Sequence, residues 1–565
     1  MELLSFRAWL LLHTLPFLKL GQISYQLRYR LLSKLPAGLG SHLRRQPEQI
    51  ETQALTPRSP FLLRPSIRLS DIEQRRFTFL NQSAVFEDDV RWKVPDKGRL
   101  WRYNLHYFDF LFPDRPMAWA HGRQLIEDWI RSNPEGTPDA WDPFPVSLRM
   151  VNWIKFLSTW QADGDLPEIH ASLYRQALFL ERHLEFHLLA NHLFKNIKAL
   201  LFAGLYFRGA DADRWRRRGF RLLTREIDEQ ILPDGGHFER SPMYHAMILE
   251  DVLDLLNILP RRPAGYETLR VRLSRAAEKM VVFLQAMSHP DGGISLFNDA
   301  ALDIEHDAAT LERYFSAVTG KSLPNDCQDR RTAFPDTGYS VMTPAAGDKL
   351  IVDCGPVGPD YQPGHAHCDT LSFELSLKGR RVIVDSGCCQ YEDGPVRRYN
   401  RGNAGHNTVT IDGRNQSEVW GAHRCARRAY PISADLHELE DGTLVFEGAH
   451  DGYRRLRVKP VHRRRVHWQQ DTIDITDGIE GTGRHTLVST LHIHPDLEVH
   501  TASDGVQVSG SDGPIVRILF KGEHPIVVQK GWYCPEFNRR LECLRLAVAF
   551  EATLPVSFGW RIAFH

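Results

Sequence analysis

The sequence predicts a multidomain protein in which an all-helical half precedes an all-β half. Three observations carry this expectation. At 565 residues the chain is longer than one ordinary domain. From about residue 100 to 320 apolar residues recur at helical spacing. Beyond about 335, short alternating segments take over, with Gly, Asp and Pro between them at roughly ten-residue intervals, the pattern of an antiparallel sandwich. The expected boundaries are a helical extension and linker over 1–75, a helical domain over 76–330 and a β-sandwich over 331–565.

The elements follow in order. The opening MELLSFRAWLLLHTLPFLKLGQISYQLRYRLL contains a short apolar run interrupted by His13 and Pro16, with no small-x-small site after it. It therefore reads as a packed amphipathic helix, with a peripheral, membrane-facing helix as the alternative, and not as a clear signal peptide, which leaves cytoplasm and periplasm both open. No stretch reaches the length of a membrane span. Residues 46–75, rich in Pro, Arg, Gln and Ser, read as a loop. Long helical patterns follow over 118–132, 145–161, 166–189, 192–207, 212–231, 242–259 and 266–288, with short connections that suit antiparallel hairpins. The strand patterns then include KLIVDCG, TLSFELSLKG, RVIVDSG, NTVTIDG and HTLVSTLHIHP.

Composition excludes some classes. With 42% hydrophobic and 25% charged residues the chain is globular. Lys+Arg 70 balances Asp+Glu 70, so charge gives no argument for a nucleic-acid partner. The basic runs at 214–218 and 463–465 read as solvated faces. Eight cysteines, spaced like no zinc finger, read as reduced core residues.

Four segments concentrate chemically active residue types. ANHLFKN places Asn191, His192 and Lys195 at the start of a helix. In DGGHFERSPMYH, Ser241-Pro242 makes an N-cap and N1 pair, so Tyr244 falls in the first turn. A helix N-terminus, with Arg240 and His245 alongside, is expected to lower the proton affinity of that phenol. GHAHCDTLSFELSL, read as one continuous strand, puts His365, His367 and Asp369 on the face that carries Leu371 and Phe373. The stretch 384–413 adds Asp385, Tyr391, Tyr399, Arg401 and His406. His367, Asp385 and His406 have donor types that suit zinc, although their spacing alone favours three polar residues at sheet edges. Trp141 and Arg149, in AWDPFPVSLRMVNW, form either a sugar-stacking platform or part of the core.

Taken together, these motifs resemble the heparinase II/III-like polysaccharide lyases, a family that includes oligoalginate lyases; the likeness runs from roughly 100 to 440. The resemblance implies an incomplete (α/α) toroid joined to an antiparallel β-sandwich, with an acidic polysaccharide in the cleft between them. It implies that Asn191 and His192 meet the uronate carboxylate, that Tyr244 is proton donor or base, and that His365 is the second catalytic group. A β-domain tyrosine, Tyr391 or Tyr399, would assist. Arg240, Tyr399, Arg401, Trp141 and Arg149 are the expected substrate contacts. His367, Asp385 and His406 would hold one zinc of mainly structural role. Where some heparinases carry an acidic residue just after the first motif, this chain has Lys195, which argues against heparin itself.

The chemistry fits β-elimination. A base removes the proton α to the uronate carboxylate, whose charge must be neutralised, and an acid protonates the leaving oxygen. The expected function is therefore cleavage of a uronic-acid-containing exopolysaccharide, with no organic cofactor. Rival readings are a non-catalytic saccharide-binding or assembly factor, a metal-dependent oxygenase, and a glycoside hydrolase. The last would need two carboxylates facing across the bond, and Glu239 and Asp299 have no paired context in the sequence.

Overall fold

A computed structural model describes residues 2–32, 50–161, 166–260, 264–323, 329–503 and 505–565. The expected loop over 46–75 is thus described only from residue 50, and residues 46–49 lie outside the described residues. Two helices open the chain, α1 (Glu2–Thr14) and α2 (Leu20–Leu32). A toroid of helical hairpins follows: α3 (Arg99–Tyr107), α4 (Trp119–Ser132), α5 (Pro143–Thr159), α6 (Pro167–Arg182), α7 (Ala190–Tyr206), α8 (Ala210–Gln230), α9 (Pro242–Ile258), α10 (Glu267–Ala286) and α11 (Ala308–Thr319).

Local chemistry sets these boundaries. Proline stands in the first turn of α5, α6 and α9, where its missing N–H costs nothing. Ser241 caps α9, its Oγ accepting the Tyr244 amide at 3.4 Å, as its sequence pattern predicts. Asp307 caps α11 in the same way, and Gly320 closes it at φ 72. The toroid core is aromatic, with Trp101, Trp129, Trp153 and Trp215 fully buried.

Two large antiparallel sheets complete the described chain. One has nine strands; Tyr339–Met342, Lys349–Asp353, Phe373–Leu377 and Arg380–Ile383 lie side by side in it, with Arg484–Ile493 next to the last. The other has eight, running from Pro431–Glu438 through Val461–Gln469 and Thr472–Glu480 to Glu498–Ala502 at the far edge. Leu350, Val352, Phe373, Leu375, Trp468, Ile475 and Trp560 fill the space between the sheets. The expected α-then-β architecture is therefore what the chain adopts.

The strand expected across 364–377 is shorter than its alternation suggested. Only Phe373–Leu377 is strand, and residues 364–372 are turns. Leu371 sits at φ 68, a left-handed geometry that breaks any extended run. The outward-pattern residues of this strand are not in water either. Glu374 is buried, accepting from His289 at 2.8 Å and from the Leu296 amide at 2.6 Å, which ties the toroid to the sheet. Asp234 does the same from the other side, accepting from Thr337 N and Oγ1 at 2.7 and 2.6 Å.

Candidate active site

The site lies where the first turns of α7 and α9 meet three loops of the β half. Non-glycine residues with left-handed φ gather at its edges: Leu189 (63°) and Ala190 (52°) before Asn191, Arg240 (58°) before Ser241, Asn298 (57°) before Asp299, and Leu371 (68°) after Asp369. Such conformations persist only where the surroundings enforce them, and they collect at functional sites.

Tyr244 and Tyr391 share a hydrogen bond between their hydroxyls at 2.8 Å. The Tyr244 ring lies on His365, with ring centres 3.9 Å apart. His365 donates from Nδ1 to Asp299 Oδ2 at 2.9 Å, and its Nε2 lies 3.5 Å from Glu239 Oε2. Its side chain is 12% exposed, the remainder being covered by the site. Asp299 also accepts from His367 Nε2 at 2.8 Å and takes both arms of the Arg397 guanidinium, Nη2 at 2.8 Å. Glu239 accepts the Asn191 amide nitrogens, main-chain at 2.9 Å and side-chain at 3.0 and 3.1 Å. His192 bonds Glu185 at 3.0 Å and rests against Phe144. The exposed His423 completes the rim, 5.2 Å from the Tyr391 ring.

Electrostatics assign protonation states. Burial raises both Tyr244 and Tyr391 well above the ordinary phenol range, and their shared bond does not reverse it, so both are neutral phenols at neutral pH. This corrects the expectation of a lowered Tyr244. The groups expected to lower it face elsewhere: Arg240 donates to the Thr337 and Phe238 carbonyls at 2.9 Å, and His245 bonds the Met280 carbonyl at 2.8 Å. Burial alone would raise Asp299, but Arg397 overcomes it and holds the carboxylate well below its usual range. Burial likewise opposes charge on His192, yet Glu185 prevails and raises its pKa.

Beneath His365 lies a group that could hold a metal ion. One ligand atom each of His367, Asp369 and His406 falls within 4.8 Å of the others, all buried. His367 Nδ1 and His406 Nε2 have no hydrogen-bond partner, an expensive state for buried ring nitrogens unless a cation uses their lone pairs. The expected ligand Asp385 is placed differently. Its Oδ2 accepts from His406 Nδ1 at 2.7 Å, and so orients that ring instead of joining the group.

Several expected substrate contacts are structural. Trp141 is buried against Phe179 and donates to the Asn133 carbonyl at 3.0 Å. Arg149 is fully buried, 3.8 Å over the Trp129 ring and bonded to Gln176. Arg401 is buried and spends its guanidinium on the Ala366, Gly421 and Arg424 carbonyls. Arg240 is spent in the same way. Tyr399 bonds His492 at 3.0 Å and the Trp532 amide at 3.2 Å, so of the two tyrosines only Tyr391 reaches Tyr244. Sequence reasoning gives Asp299, Arg397 and Asp369 no role in the lyase site, although it puts Asp369 on the face of His365 and His367 and weighs Asp299 as a hydrolase carboxylate. Asp299 stands in LFNDAA, which carries no periodic or motif signal.

Comparison with known proteins gives a consistent result. Residues 74–321 match the family model for the heparinase II/III N-terminus, and 328–561 match that for the heparinase II/III-like C-terminal region. A heparin-sulfate lyase of Bacteroides stercoris is 24% identical over 533 residues, covering 83% of this chain and 76% of that protein. FtsZ-localized protein C of Caulobacter vibrioides is 25% identical over 439 residues, covering 73% and 72%. A crystal structure of heparinase III superposes with a TM-score of 0.67 at 18% identity, over 84% of this chain and 79% of that one.

Proposed function

The chain belongs to the heparinase II/III-like family, and from this premise and its site we infer that it is a carbon–oxygen lyase cleaving a uronic-acid polysaccharide by β-elimination. The observation that carries the reading is the pair of neutral phenols, Tyr244 and Tyr391, bonded to each other beside an Asp299-anchored His365. Asp299 takes the Nδ1 proton of His365, which leaves Nε2 as the basic edge toward the cleft. That edge removes the proton at the sugar carbon α to the carboxylate. The C–O bond at the adjacent carbon breaks, a C=C bond forms, and Tyr244 passes its proton to the leaving oxygen. Tyr391 then returns a proton to Tyr244, and the proton taken up by His365 restores Tyr391 through solvent once product leaves. Protonated His192, whose side chain is 29% exposed, neutralises the uronate carboxylate so that its α proton becomes removable. Asn191, with its amide already on Glu239, holds Glu239 against His365.

We further propose that His367, Asp369 and His406 hold one zinc ion, with Asp385 and Asp299 orienting the two rings. The orphaned ring nitrogens support this. The ion would join loops of the β half and fix the segment that presents His365.

The hydrolase alternative loses its support, because neither carboxylate is free to activate water. Glu239 is committed to Asn191, and Asp299 to two histidines and an arginine. A non-catalytic saccharide-binding reading draws on the similarity to FtsZ-localized protein C, whose name states a location and no reaction. The deciding experiment incubates the protein with a panel of uronate polymers, exopolysaccharides included, and follows ultraviolet absorbance of the unsaturated product. Absorbance growing with new chain ends supports the lyase. New reducing ends without absorbance, or saturable binding without cleavage, overturns it.

A further inference from the structure

α1 and α2 are apolar on two sides. Their inner side is docked: Trp9 lies under Arg427 at 4.4 Å, Phe17 under Arg428 at 3.9 Å, Tyr25 packs on Phe186 at 4.8 Å, and Gln22 donates to the Tyr361 carbonyl at 3.2 Å. The outer side is aliphatic and in solvent. On α2, Leu20, Ile23, Leu27 and Leu31 follow at spacings of three, four and four residues, one helix face. Their exposures are 85%, 38%, 56% and 67%. On α1, Leu11 and Leu12 are 40% and 65% exposed, and Leu15, in the 3-10 turn that follows, is 49% exposed. Scattered exposed leucines need no explanation, but a row along two consecutive helices does.

We propose that this face is the seat of an anionic lipid bilayer surface, on which α1 and α2 lie parallel to the membrane. Charge selects this occupant. Across residues 3–32 there are four Lys or Arg and no Asp or Glu, in a chain whose whole charge is balanced; one of the four, Lys19, is paired with Glu229, which leaves Arg7, Arg28 and Arg30. Arg7 stands one turn before Leu11 on the same exposed row, and exposed Arg28 stands beside Leu27 and Leu31. Long basic side chains at the edge of an apolar stripe can bury their stems while their charges meet headgroups. A second copy seated on the face would instead bring like charges together. Insertion across the bilayer is not required, since no described helix is long and apolar enough to cross one.

The test uses the full chain in flotation assays with vesicles of phosphatidylcholine alone, or with about a third phosphatidylglycerol. Binding is expected only to the anionic vesicles, weakening as salt rises from about 0.05 to 0.5 M. The double variant Leu20→Glu, Leu27→Glu should lose it, and Arg7→Gln or Arg28→Gln should each lower partitioning about fivefold. Unchanged thermal unfolding and polymer cleavage in these variants separate lost docking from lost folding. The arginine variants, at exposed positions, serve if the double variant does not fold. Equal binding to neutral and anionic vesicles, or no binding to either, overturns the proposal. So does a dimer abolished by the leucine changes without any vesicle binding.

Discussion

Two buried clusters in this molecule use the same side chains to different ends. At the cleft, Asp299 accepts from His365, His367 and Arg397. Inside the sandwich, Asp477 accepts from His462 Nε2 at 2.7 Å and from Arg464 at 2.8 and 2.9 Å. Both carboxylates are fully buried. The difference lies in what the histidines have left over. His462 has a partner on each ring nitrogen, its Nδ1 facing His450 at 3.3 Å. His367 keeps an unpartnered Nδ1, and the partly exposed His365 ring lies against the Tyr244 phenol. An Asp–His–Arg cluster is thus not a site by virtue of its residue types. It becomes one where a ring nitrogen is withheld from the protein's own hydrogen bonding. The two clusters also cooperate: Arg464 donates to the carbonyl of Leu371 at 2.6 Å, so the sealed one holds the strained turn after Asp369.

The strongest way to test that contrast is Tyr244→Phe, which removes one hydroxyl from the open cluster. Turnover should fall by roughly two to four orders of magnitude, with KM and thermal stability near the parent values, because the lost interaction belongs to the transition state. A variant cleaving polymer at the parent rate would remove Tyr244 from the chemistry. The counterpart in the sealed cluster is Asp477→Ala. Leaving Arg464 and His462 buried without their carboxylate should cost about 3–5 kcal/mol in denaturant unfolding, with a far smaller loss of turnover per folded molecule. Burial pushes Asp477 up, but Arg464 and His462 bring it below the usual carboxylate range. Its contribution is therefore complete above the ordinary pKa of about 4 and lost as pH falls through the lowered native value. The variant should lack that acid arm of the stability curve. If Asp477→Ala instead abolished turnover with stability intact, the two clusters would not differ as described.

A smaller effect sharpens the metal question. Asp369→Asn should abolish stoichiometric zinc binding in a chelator competition, whereas Asp385→Asn, which only loosens the orientation of His406, should weaken it about 10–100-fold. The reverse order would restore Asp385 as the ligand.

How much of this was legible in the sequence follows from the range of the forces involved. The α and β halves were, because hydrophobic period is a local property. Tyr244 was, because Ser241-Pro242 fixes a helix start within four residues. The choice between Tyr391 and Tyr399 was not. Both lie in one sequence segment, 384–413, and only the folding of its second part into α12 (Pro395–Arg401) turns Tyr399 toward His492 and away from the cleft. Trp141 and Arg149 were misread as cleft residues because residue type cannot tell a stacking platform from a buried cation–aromatic pair. Asp299 drew notice only as a hydrolase carboxylate, and its part in this site was invisible because all its partners lie at least 58 residues away in sequence and the charge it balances, Arg397, lies across the domain boundary. The direction of the Tyr244 shift was misjudged for a related reason: neighbours in sequence were counted as neighbours in space.

The last and smallest effect concerns His192, the group proposed to meet the substrate's charge. Burial disfavours its protonated form, and Glu185, bonded at 3.0 Å, overcomes this and raises its pKa. Glu185 is correspondingly lowered, against its own burial, by His192 and Asn196. The sign follows: a histidine with a raised native pKa is charged, and its pairing contributes fully, below the ordinary value of about 6.5, and both fade as pH rises through the raised value. KM for a uronate polymer should therefore climb on the alkaline side, by less than about tenfold, while turnover at saturation changes little. Glu185→Gln keeps the shape and the bonds to Asn196 but removes the main charge that opposes burial, leaving the weaker pull of Glu239. The alkaline limb should then move to lower pH, past the ordinary histidine value. His192→Gln should flatten it, with the higher KM present at every pH. A limb that stays in place in Glu185→Gln would mean that another cation meets the carboxylate. The exposed rim would then have to supply it, since Arg397 and Arg401 are both spent inside the protein.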